Sequence, residues 1–442
     1  MKFERPAEAA QEIVEEGDLA RGRTRTGVHV VELAAGESVA GKLAEYEERG
    51  DVLYAEPNAR ARVALTGPLD PRQGSQWALA SIKAVDGWSI YPADYGSREG
   101  VTVAVVDTGV DSNHEDLNDG RMLVAAGASC VTPSQSCQAG PALDDHGHGT
   151  MVTGVVAAAA NNGTGVAGAA FSSRVIPVKV LDASGSGSYA AISNGILWAA
   201  EQGARVINLS LGGSESSQTL CDAVTRATAR GALVVVAAGN AATSAASYPA
   251  ACPGAVGVAA TDQNDGNAPF SNFGSPNVFL SAPGVGILST YPGNAYQAAS
   301  GTSIAAPFVT SLAALLFGQR GDRSPAEVKT VLAQTAERVG TGVYGADPYG
   351  VCGCTWSSSH GYGRIDVRRA LAVLAPPAPA IVERQPATRR TPAAPAQPAR
   401  TARIRTAPVK RGSFRRADRT IRAGARPASR AQAGRRRPAR RG

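Results

Sequence analysis

Residues 101–107 read VTVAVVD, and this apolar run ending in an acid decides the fold that the sequence predicts. A run without polar alternation is typical of a strand buried on both faces, as in a parallel sheet covered by helices. Similar runs occur at Val175–Val180, Val206–Leu209 and Leu233–Ala238. Repeated strands of this kind predict an α/β domain.

Stretches with a helical pattern lie between and after these strands, at His148–Ala160, Tyr189–Gln202, Leu220–Arg230 and Ile304–Phe317. The alternation of strands and helices predicts a doubly wound, mostly parallel sheet flanked by helices. Ligands of such sheets bind outside the carboxyl ends of the strands. Polar residues at those ends are therefore the first candidates for a functional site.

Asp107 and Asn240 each follow a buried strand directly, in VVDTGVD and VVVAAGN. A buried acid is costly unless it is hydrogen-bonded, and an amide in this position can donate to a developing oxyanion. The simpler alternatives are a carboxylate that caps a turn and a turn asparagine. His148, in DDHGHGTMVTG, is flanked by glycines and can face a cleft, and His146 is the competing candidate.

Ser303 lies in residues 294–318, NAYQAASGTSIAAPFVTSLAALLFG, between a loop of small residues and an apolar helix. The free N–H groups and the dipole of a helix N-terminus favour negative charge, which places Ser303 as a nucleophile beside a partly built oxyanion site. The alternative is an N-cap serine on a buried helix. Asp107, His148 and Asn240 supply the orienting acid, the base and the donor that an acyl-transfer site needs.

Five segments, in this order, resemble the subtilisin-like serine proteases: VAVVDTGVDSNHEDL, HGHGTMVTG, INLSLGG, VVVAAGN and GTSIAAP. The resemblance implies that Asp107, His148 and Ser303 form a catalytic triad. It implies Asn240 as the oxyanion donor, together with the backbone N–H of Ser303. It favours His148 over His146 because His148 begins the HGT motif.

The resemblance covers the chain from about Gln76 to Val373. Departures from the family pattern at Met151, Thr153 and Ile304 fall on no catalytic position. The implied function is a serine endopeptidase that cleaves proteins or peptides through an acyl-enzyme intermediate. A rival hypothesis is a polyanion-binding surface protein that uses the protease fold as a scaffold, since fold does not guarantee function.

By the same resemblance, seven small or neutral residues form the pocket for the substrate side chain before the scissile bond (P1): Ser210, Leu211, Gly212, Ala237, Ala238, Gly239 and Ser247. The first six flank an extended substrate that pairs as an added strand, and Ser247 lies at the base of the pocket. No acid is available there to hold Lys or Arg. We therefore expect a broad or apolar P1 preference.

The resemblance also implies a structural Ca²⁺ site. Calcium prefers several oxygen ligands, including carboxylates and backbone carbonyls. The implied side-chain ligands are Asp70, Asp116 and Asn162, and the implied carbonyl ligands are Ala159, Thr164 and Val166. The residue types alone favour a solvated Asn-Gly turn in this loop.

Residues 1–65 are predicted to form a separate ferredoxin-like α+β unit, with 66–75 as a linker and 76–374 as the peptidase domain. In the N-terminal unit, strands are expected at Met1–Phe3 (shortened), at Val28–Leu33 and from Val52 onward. Helices are expected at Ala7–Glu16 and Ser38–Arg49. The unit resembles the family's propeptide, which chaperones and inhibits the protease, and VLYAEPN is its characteristic end. This implies a self-inhibited precursor that is cut between about Arg60 and Gly74.

The basic charge of the chain is concentrated in residues 376–442, which carry 19 of the 44 basic and 2 of the 37 acidic residues. The rest of the chain is acidic, so the pI near 9.2 does not describe the peptidase domain. Residues 375–442 are rich in Pro, Ala and Arg, and we expect them to be disordered. Binding to an anionic cell-surface polymer or to a membrane is a second hypothesis. Binding of this segment to nucleic acid is disfavoured because Phe414 is its only aromatic residue, which leaves no platform on which bases could stack.

Six cysteines predict an oxidising compartment, since their spacing does not fit a zinc site. We expect the disulfides Cys130–Cys137 and Cys221–Cys252, with Cys352 and Cys354 either bridged or reduced. The alternative is six free thiols in a cytosolic protein. No signal peptide or membrane-spanning run is visible, and the missing signal points against secretion. Because the cysteines outweigh it, we expect a secreted or cell-surface monomer whose true start lies upstream.

Overall fold

The computed structural model describes residues 2–3, 19–23, 28–34, 37–49, 51–56, 70–90 and 100–373. Several predicted features lie outside these ranges. They are the helix at 7–16, residues 57–65 with the expected end of the propeptide, the first part of the linker and the basic tail at 375–442. The fold is therefore described for parts of the N-terminal unit and for most of the peptidase domain.

The described N-terminal residues form two antiparallel strand pairs and one helix. The strands are β1 (Lys2–Phe3), β2 (Leu19–Arg23), β3 (His29–Glu32) and β4 (Val52–Tyr54). Strand β1 pairs with β4, and β2 pairs with β3, as two separate sheets. Helix α1 (Val39–Glu48) begins after Ser38, whose hydroxyl accepts a hydrogen bond from Gly41 N. The ferredoxin-like arrangement and the propeptide role stay predictions.

The peptidase domain is built on one sheet of eight strands. These are β5 (Thr102–Asp107), β6 (Ala128–Ser129), β7 (Gln138–Ala139), β8 (Arg174–Lys179), β9 (Val206–Leu209), β10 (Leu233–Ala237), β11 (Val256–Thr261) and β12 (Leu280–Pro283). Their order is β12-β11-β10-β9-β5-β8-β6-β7, and every neighbouring pair is parallel except β6–β7. The mostly parallel sheet is confirmed, and β5 lies in its interior.

Helices cover both faces of this sheet. They are α2 (Trp77–Ser81), α3 (Ala84–Ile90), α4 (His148–Ala157), α5 (Tyr189–Glu201), α6 (Gln218–Ala229), α7 (Thr302–Gln319), α8 (Pro325–Thr335) and α9 (Val367–Ala372). Val103 and Val105 of β5 belong to one core with α4 and α7, whereas Ala104 and Val106 belong to the opposite core with α5 and α6. Alternate residues of one strand thus serve two cores, as a doubly wound sheet requires.

Helix α7 is the main buried helix of the first core. It follows an antiparallel hairpin of β13 (Ile287–Tyr291) and β14 (Ala295–Ala299). Of the helices in the described ranges, it alone is long and apolar enough to cross a membrane by length and composition. However, 83% of that apolar window is buried inside the protein, as expected of a core helix.

All six cysteines are paired. The predicted disulfides Cys130–Cys137 and Cys221–Cys252 are confirmed. The two cysteines whose state the sequence left open form a third bridge, Cys352–Cys354. Three disulfides favour the oxidising compartment over the alternative of six free thiols.

Candidate active site

The acid and the histidine meet at the carboxyl end of β5. Asp107 is the last residue of that strand and is fully buried. His148 Nδ1 lies 2.7 Å from Asp107 Oδ1, and Thr108 N donates to the same oxygen at 2.8 Å. Because a carboxylate oxygen accepts hydrogen bonds, the proton of the imidazole belongs on Nδ1. Nε2 is then unprotonated, which is the tautomer that a general base needs.

The start of α4 sets the position of the imidazole. His148 is the first residue of that helix, and Gly147 before it has φ +104°. A Cβ on Gly147 would lie 2.5 Å from the ring of Tyr291, so a side chain does not fit there. Burial alone would lower the pKa of His148, but the charge and hydrogen bond of Asp107 and the charge of Asp144 raise it above the ordinary value. The site therefore makes this imidazole a stronger base.

A second carboxylate, Asp144, organises the turn that carries the histidine. Its Oδ1 accepts hydrogen bonds from Gly147 N at 2.8 Å, His146 N at 3.1 Å and Thr108 Oγ1 at 2.8 Å. Its Oδ2 accepts from Thr150 N at 2.8 Å and from Thr150 Oγ1 at 2.6 Å. Burial would raise the pKa of Asp144, but these hydrogen bonds outweigh it and lower the pKa. The ionised side chain thus ties the end of β5 to the first turn of α4.

Ser303 is the second residue of α7, and the amide of Asn240 lies beside it. A Cβ built on Gly301 would be 3.0 Å from Ser303 Oγ, 3.5 Å from Asn240 Nδ2 and 3.7 Å from Ser303 N. The nucleophile and two N–H donors therefore surround one small space that the glycine leaves open. A space of this kind suits the oxyanion of an acyl-transfer reaction.

Thr302 orients the amide of Asn240. Its backbone N and its Oγ1 both donate to Asn240 Oδ1, at 2.8 Å and 2.9 Å. Thr302 Oγ1 in turn accepts a hydrogen bond from Gly239 N at 3.1 Å. Two donors on one atom require an oxygen at that position. The Nδ2 group of Asn240 is consequently the one that faces the space beside Ser303.

A buried polar network fixes the start of α7 to the sheet. Ser210 Oγ donates to the carbonyl oxygen of Ser303 at 2.6 Å and accepts from Asn208 Nδ2 at 2.9 Å. Asn208 Oδ1 accepts from Thr310 Oγ1 at 2.8 Å. Ser210 is 4% exposed, and Asn208 and Thr310 are fully buried. Hydrogen bonds in such a dry environment hold the turn around Ser303 firmly.

A cleft of about 730 Å³ passes these groups. Its lining includes the three candidate catalytic side chains His148, Asn240 and Ser303 and six of the predicted pocket residues: Ser210, Leu211, Gly212, Ala237, Gly239 and Ser247. Ala238 is fully buried with Ala259 and Val278, because neighbouring residues in extended backbone point to opposite sides. No Asp, Glu, Lys or Arg is among the described lining residues, so the cleft is neutral apart from its histidines.

The two carboxylates predicted to bind calcium both contact the loop at 159–166. Asp70 accepts hydrogen bonds from Asn162 N at 3.1 Å and Gly163 N at 3.2 Å. Asp116 accepts from Asn162 Nδ2 at 2.8 Å and from Val166 N at 2.8 Å. The donor set of two buried carboxylates, an amide and loop carbonyls fits a hard cation. Within the described ranges, no group of three or more His, Cys, Asp or Glu could hold a metal ion.

The remaining predicted calcium ligands lie on the same loop. Ala159 N donates to the carbonyl oxygen of Asp116 at 2.9 Å, and Thr164 N donates to Asn162 Oδ1 at 2.8 Å. Tyr296 OH donates to Asp116 Oδ2 at 3.1 Å. The loop is therefore a preformed unit around the two carboxylates, and the residue set that sequence reasoning proposed is gathered in one place.

Sequence reasoning missed Asp144, Asn208 and Thr310. A signal for Asp144 was available, because an acid just before a helix start commonly caps it. Asn208 is a polar residue inside an apolar strand, and a buried polar group needs a partner. Thr310 gave no such signal, since a single threonine inside an apolar helix is unremarkable until its neighbours are known.

Comparisons with known proteins agree with this geometry. The family model of the subtilases, peptidase S8, matches residues 98–363. Thermitase from Thermoactinomyces vulgaris is 44% identical over 281 residues, which are 63% of this chain and 95% of thermitase. Subtilisin Savinase from Lederbergia lenta is 42% identical over 278 residues, 62% of this chain and 96% of that protein.

A solved structure of a protease also resembles this chain. A protease from Pseudoalteromonas arctica superposes with a TM-score of 0.60 and 32% sequence identity, covering 70% of this chain and 99% of that one. Relatives of this kind support hydrolysis of peptide bonds by a serine protease. They lend no support to a polyanion-binding scaffold as the function.

Proposed function

This chain belongs to the subtilase family, and on that premise we propose that Asp107, His148 and Ser303 form the catalytic triad with which it hydrolyses peptide bonds. The observation that carries the proposal is the 2.7 Å contact of His148 Nδ1 with Asp107 Oδ1 in a cleft that Ser303 also lines. The family supplies the reaction class, and this contact supplies the base and its orienting acid.

In the proposed reaction, Ser303 Oγ attacks the substrate carbonyl carbon while His148 Nε2 takes the hydroxyl proton. The carbonyl oxygen becomes an oxyanion, which receives hydrogen bonds from Asn240 Nδ2 and Ser303 N. The imidazolium, stabilised by Asp107, then gives its proton to the leaving amine as the C–N bond breaks. A water molecule then attacks the acyl carbon with His148 again as base. The ester C–O bond breaks, His148 returns the proton to Ser303 Oγ, and the carboxylic acid product leaves.

We propose that extended substrates pair with the backbone on both sides of the cleft and insert the P1 side chain among small residues. Gly212 and Gly239 offer backbone at the cleft surface, and Ser247 lies at the base of the pocket. Because the lining has no acid to pair with Lys or Arg, we expect broad or apolar P1 specificity. One methylene group more or less in such a pocket changes discrimination by about 1–3 kcal/mol.

We propose that the loop at 159–166 holds a structural Ca²⁺ ion. The side chains of Asp70, Asp116 and Asn162 and carbonyls of the loop would hold it. The ion would neutralise two buried carboxylates and so stabilise the folded domain. It has no part in the hydrolytic steps.

We further propose that residues 1–65 inhibit and chaperone the peptidase domain until they are cut off, and that the enzyme acts as a secreted or cell-surface monomer. Three disulfides support an oxidising compartment. The basic segment 375–442 is proposed as a solvated extension, with an anionic surface polymer as its possible partner. The propeptide would act as an intramolecular partner of the cleft.

Labelling with a fluorophosphonate probe tests the proposed nucleophile. We expect one covalent adduct on the matured protein and none on Ser303→Ala. Ser300→Ala is the matched control, since Ser300 lies three residues away and its hydroxyl accepts a hydrogen bond from Gly286 N at 2.9 Å. Labelling that persists in Ser303→Ala, or that is absent from the parent, would overturn the proposal.

A further inference from the structure

The loop between Cys130 and Cys137 lies near one edge of the cleft, but none of its residues is among the described cleft lining. The disulfide closes this loop. Cys130 N donates to the carbonyl oxygen of Lys179 at 2.8 Å, which extends the pairing of β6 with β8. The chain that follows β8 forms one edge of the cleft, residues 184–187. The loop and this edge therefore leave the sheet side by side.

Gln135 is the residue through which the loop contacts the edge. Its side-chain Oε1 accepts a hydrogen bond from Ser188 Oγ at 2.8 Å, and its carbonyl oxygen accepts from Asn194 Nδ2 at 2.8 Å. Its φ of +57° is a left-handed conformation that residues other than glycine rarely adopt. The loop holds this conformation through the bond from Gln135 N to the Thr132 carbonyl, at 2.9 Å, and through its disulfide.

Ser188 connects this contact to both the helix and the cleft. It is the N-cap of α5, and its hydroxyl accepts from Ala191 N at 3.1 Å while it donates to Gln135. Ser186 and Gly187, directly before it, line the catalytic cleft on one side. On the other side they line a second cavity of about 370 Å³, whose opposite wall includes Gln135 and the start of the loop.

Within the edge, Ser186 and Gly187 thus line both the cleft and the second cavity. At the beginning of the edge, Asp182 Oδ1 accepts hydrogen bonds from Ser184 N at 2.8 Å and Ser186 N at 3.1 Å. At its end, the bond between Ser188 and Gln135 limits movement toward the second cavity. If the edge could move away from the cleft, the enzyme would bind an extended substrate more weakly, because binding would then have to order the edge.

We propose that Gln135, held by the disulfide-closed loop at 130–137, is a positioning residue that keeps the edge 184–187 in place for extended substrates. The proposal rests on the peptidase function and adds a determinant of substrate length to it. A substrate that reaches the edge depends on Gln135, and a substrate confined to the surroundings of Ser303 does not. The bond-breaking chemistry is unaffected.

The experiment compares two substrates on active-site-titrated enzyme. One is an internally quenched octapeptide with the scissile bond near its centre, and the other is a single-residue ester. For Gln135→Ala we expect the octapeptide KM to rise about three- to tenfold, the effect of one lost hydrogen bond. We expect its kcat and both ester constants to stay within about twofold of the parent.

Three further variants isolate the contact. Ser134→Ala is the matched control, because among the described residues the Ser134 hydroxyl forms its hydrogen bonds inside the loop, with Thr132 and Ser136. Gln135→Glu keeps an acceptor for Ser188 and should restore the parent KM. The double change Cys130→Ser with Cys137→Ser should raise the octapeptide KM as Gln135→Ala does.

Two results would overturn the inference. One is an equal effect of Gln135→Ala on the ester and on the octapeptide, and the other is a loss confined to kcat. A parent enzyme that cleaves neither substrate would instead refute the proposed peptidase function, and the inference would fall with it. Melting temperatures of Gln135→Ala and Ser134→Ala that match the parent would show that the KM effect is local.

Discussion

Replacing Asp144 with Asn tests whether this second carboxylate helps to set the catalytic base. The variant keeps the shape of the side chain and one oxygen. Its NH2 group, however, must replace one of the two oxygens. Backbone N–H groups donate to both, from Gly147 to Oδ1 and from Thr150 to Oδ2, each at 2.8 Å, and neither can turn to accept. The first turn of α4 therefore loses a charge-assisted hydrogen bond and faces a repulsive contact.

The size of the effect follows from these contacts. Hydrogen bonds to a charged group contribute about 1.5–3 kcal/mol each, so we expect the free energy of unfolding to fall by about 2–4 kcal/mol. In a domain of this size that lowers the melting temperature by roughly 4–12 °C. Because His148 begins the disturbed turn, a displacement of about 1 Å would lower kcat/KM about 10- to 100-fold at neutral pH.

The pH dependence separates the charge of Asp144 from its structural role. In the proposed reaction His148 acts as a base and must be neutral, so we expect activity to fall as the pH drops through the pKa of that group. The charges of Asp107 and Asp144 raise this pKa. Removing one of them lowers it, and the acidic limb of the kcat/KM profile should move to lower pH.

The assay is kcat/KM between about pH 5 and 9 at constant ionic strength. Asp119→Asn is the control, since Asp119 pairs with Arg121 and lies outside the cleft lining. It should leave the acidic limb in place. An Asp144→Asn enzyme with the parent's melting temperature and an unmoved limb would refute the reasoning, and so would a limb that moves to higher pH.

Four other predictions concern the candidate site and its surroundings. Asn240→Ala should lower kcat about 10²- to 10³-fold with little change in KM, as loss of one oxyanion donor does. Thr302→Val should lower kcat only about three- to tenfold, because Thr302 N still orients the amide of Asn240. A loss of kcat as large as that of Asn240→Ala in steady-state assays would contradict this role. Thr310→Val leaves Asn208 Oδ1 buried without its partner and should lower the free energy of unfolding by about 1–3 kcal/mol in chemical denaturation. A chelator should lower the melting temperature of the parent more than that of Asp116→Ala, since an ion at 100 times its Kd adds about 2.7 kcal/mol, and equal shifts would argue against the site.

The strands that the sequence predicted and the strands that it missed differ in composition. Strand β5 is a run of Val and Ala between one Thr and one Asp and buries every residue, so its pattern is unambiguous. Strands β11 and β12 read VGVAAT and LSAP and are equally buried. Their Gly, Ser and Pro are common in loops and hide the strands from sequence patterns. A short buried strand can contain such residues because it owes its stability to its surroundings and not to its own propensity.

The site residues divide in a similar way. Asp107 and Ser303 were predictable because each stands at the end of an element whose pattern is clear. Asp144 stands beside the helix start that it holds, which is a local signal, but its contact with Thr108 spans 36 positions and the contact of Gln135 with Ser188 spans 53. Spacing of that length carries no local signal, since only the packed structure brings the partners together.

The strand order explains why the cleft has two separate walls. Strand β5 pairs with β8 on one side and with β9 on the other. The chain after β8 supplies residues 184–187, and the chain after β9 supplies residues 210–214, so both reach the cleft from opposite neighbours of Asp107. A reversal of strand order of this kind opens a crevice at the carboxyl edge of the sheet. A substrate that crosses the end of β5 therefore contacts both segments, and one of the two is held in place through Ser188 by a residue that sequence patterns did not reveal.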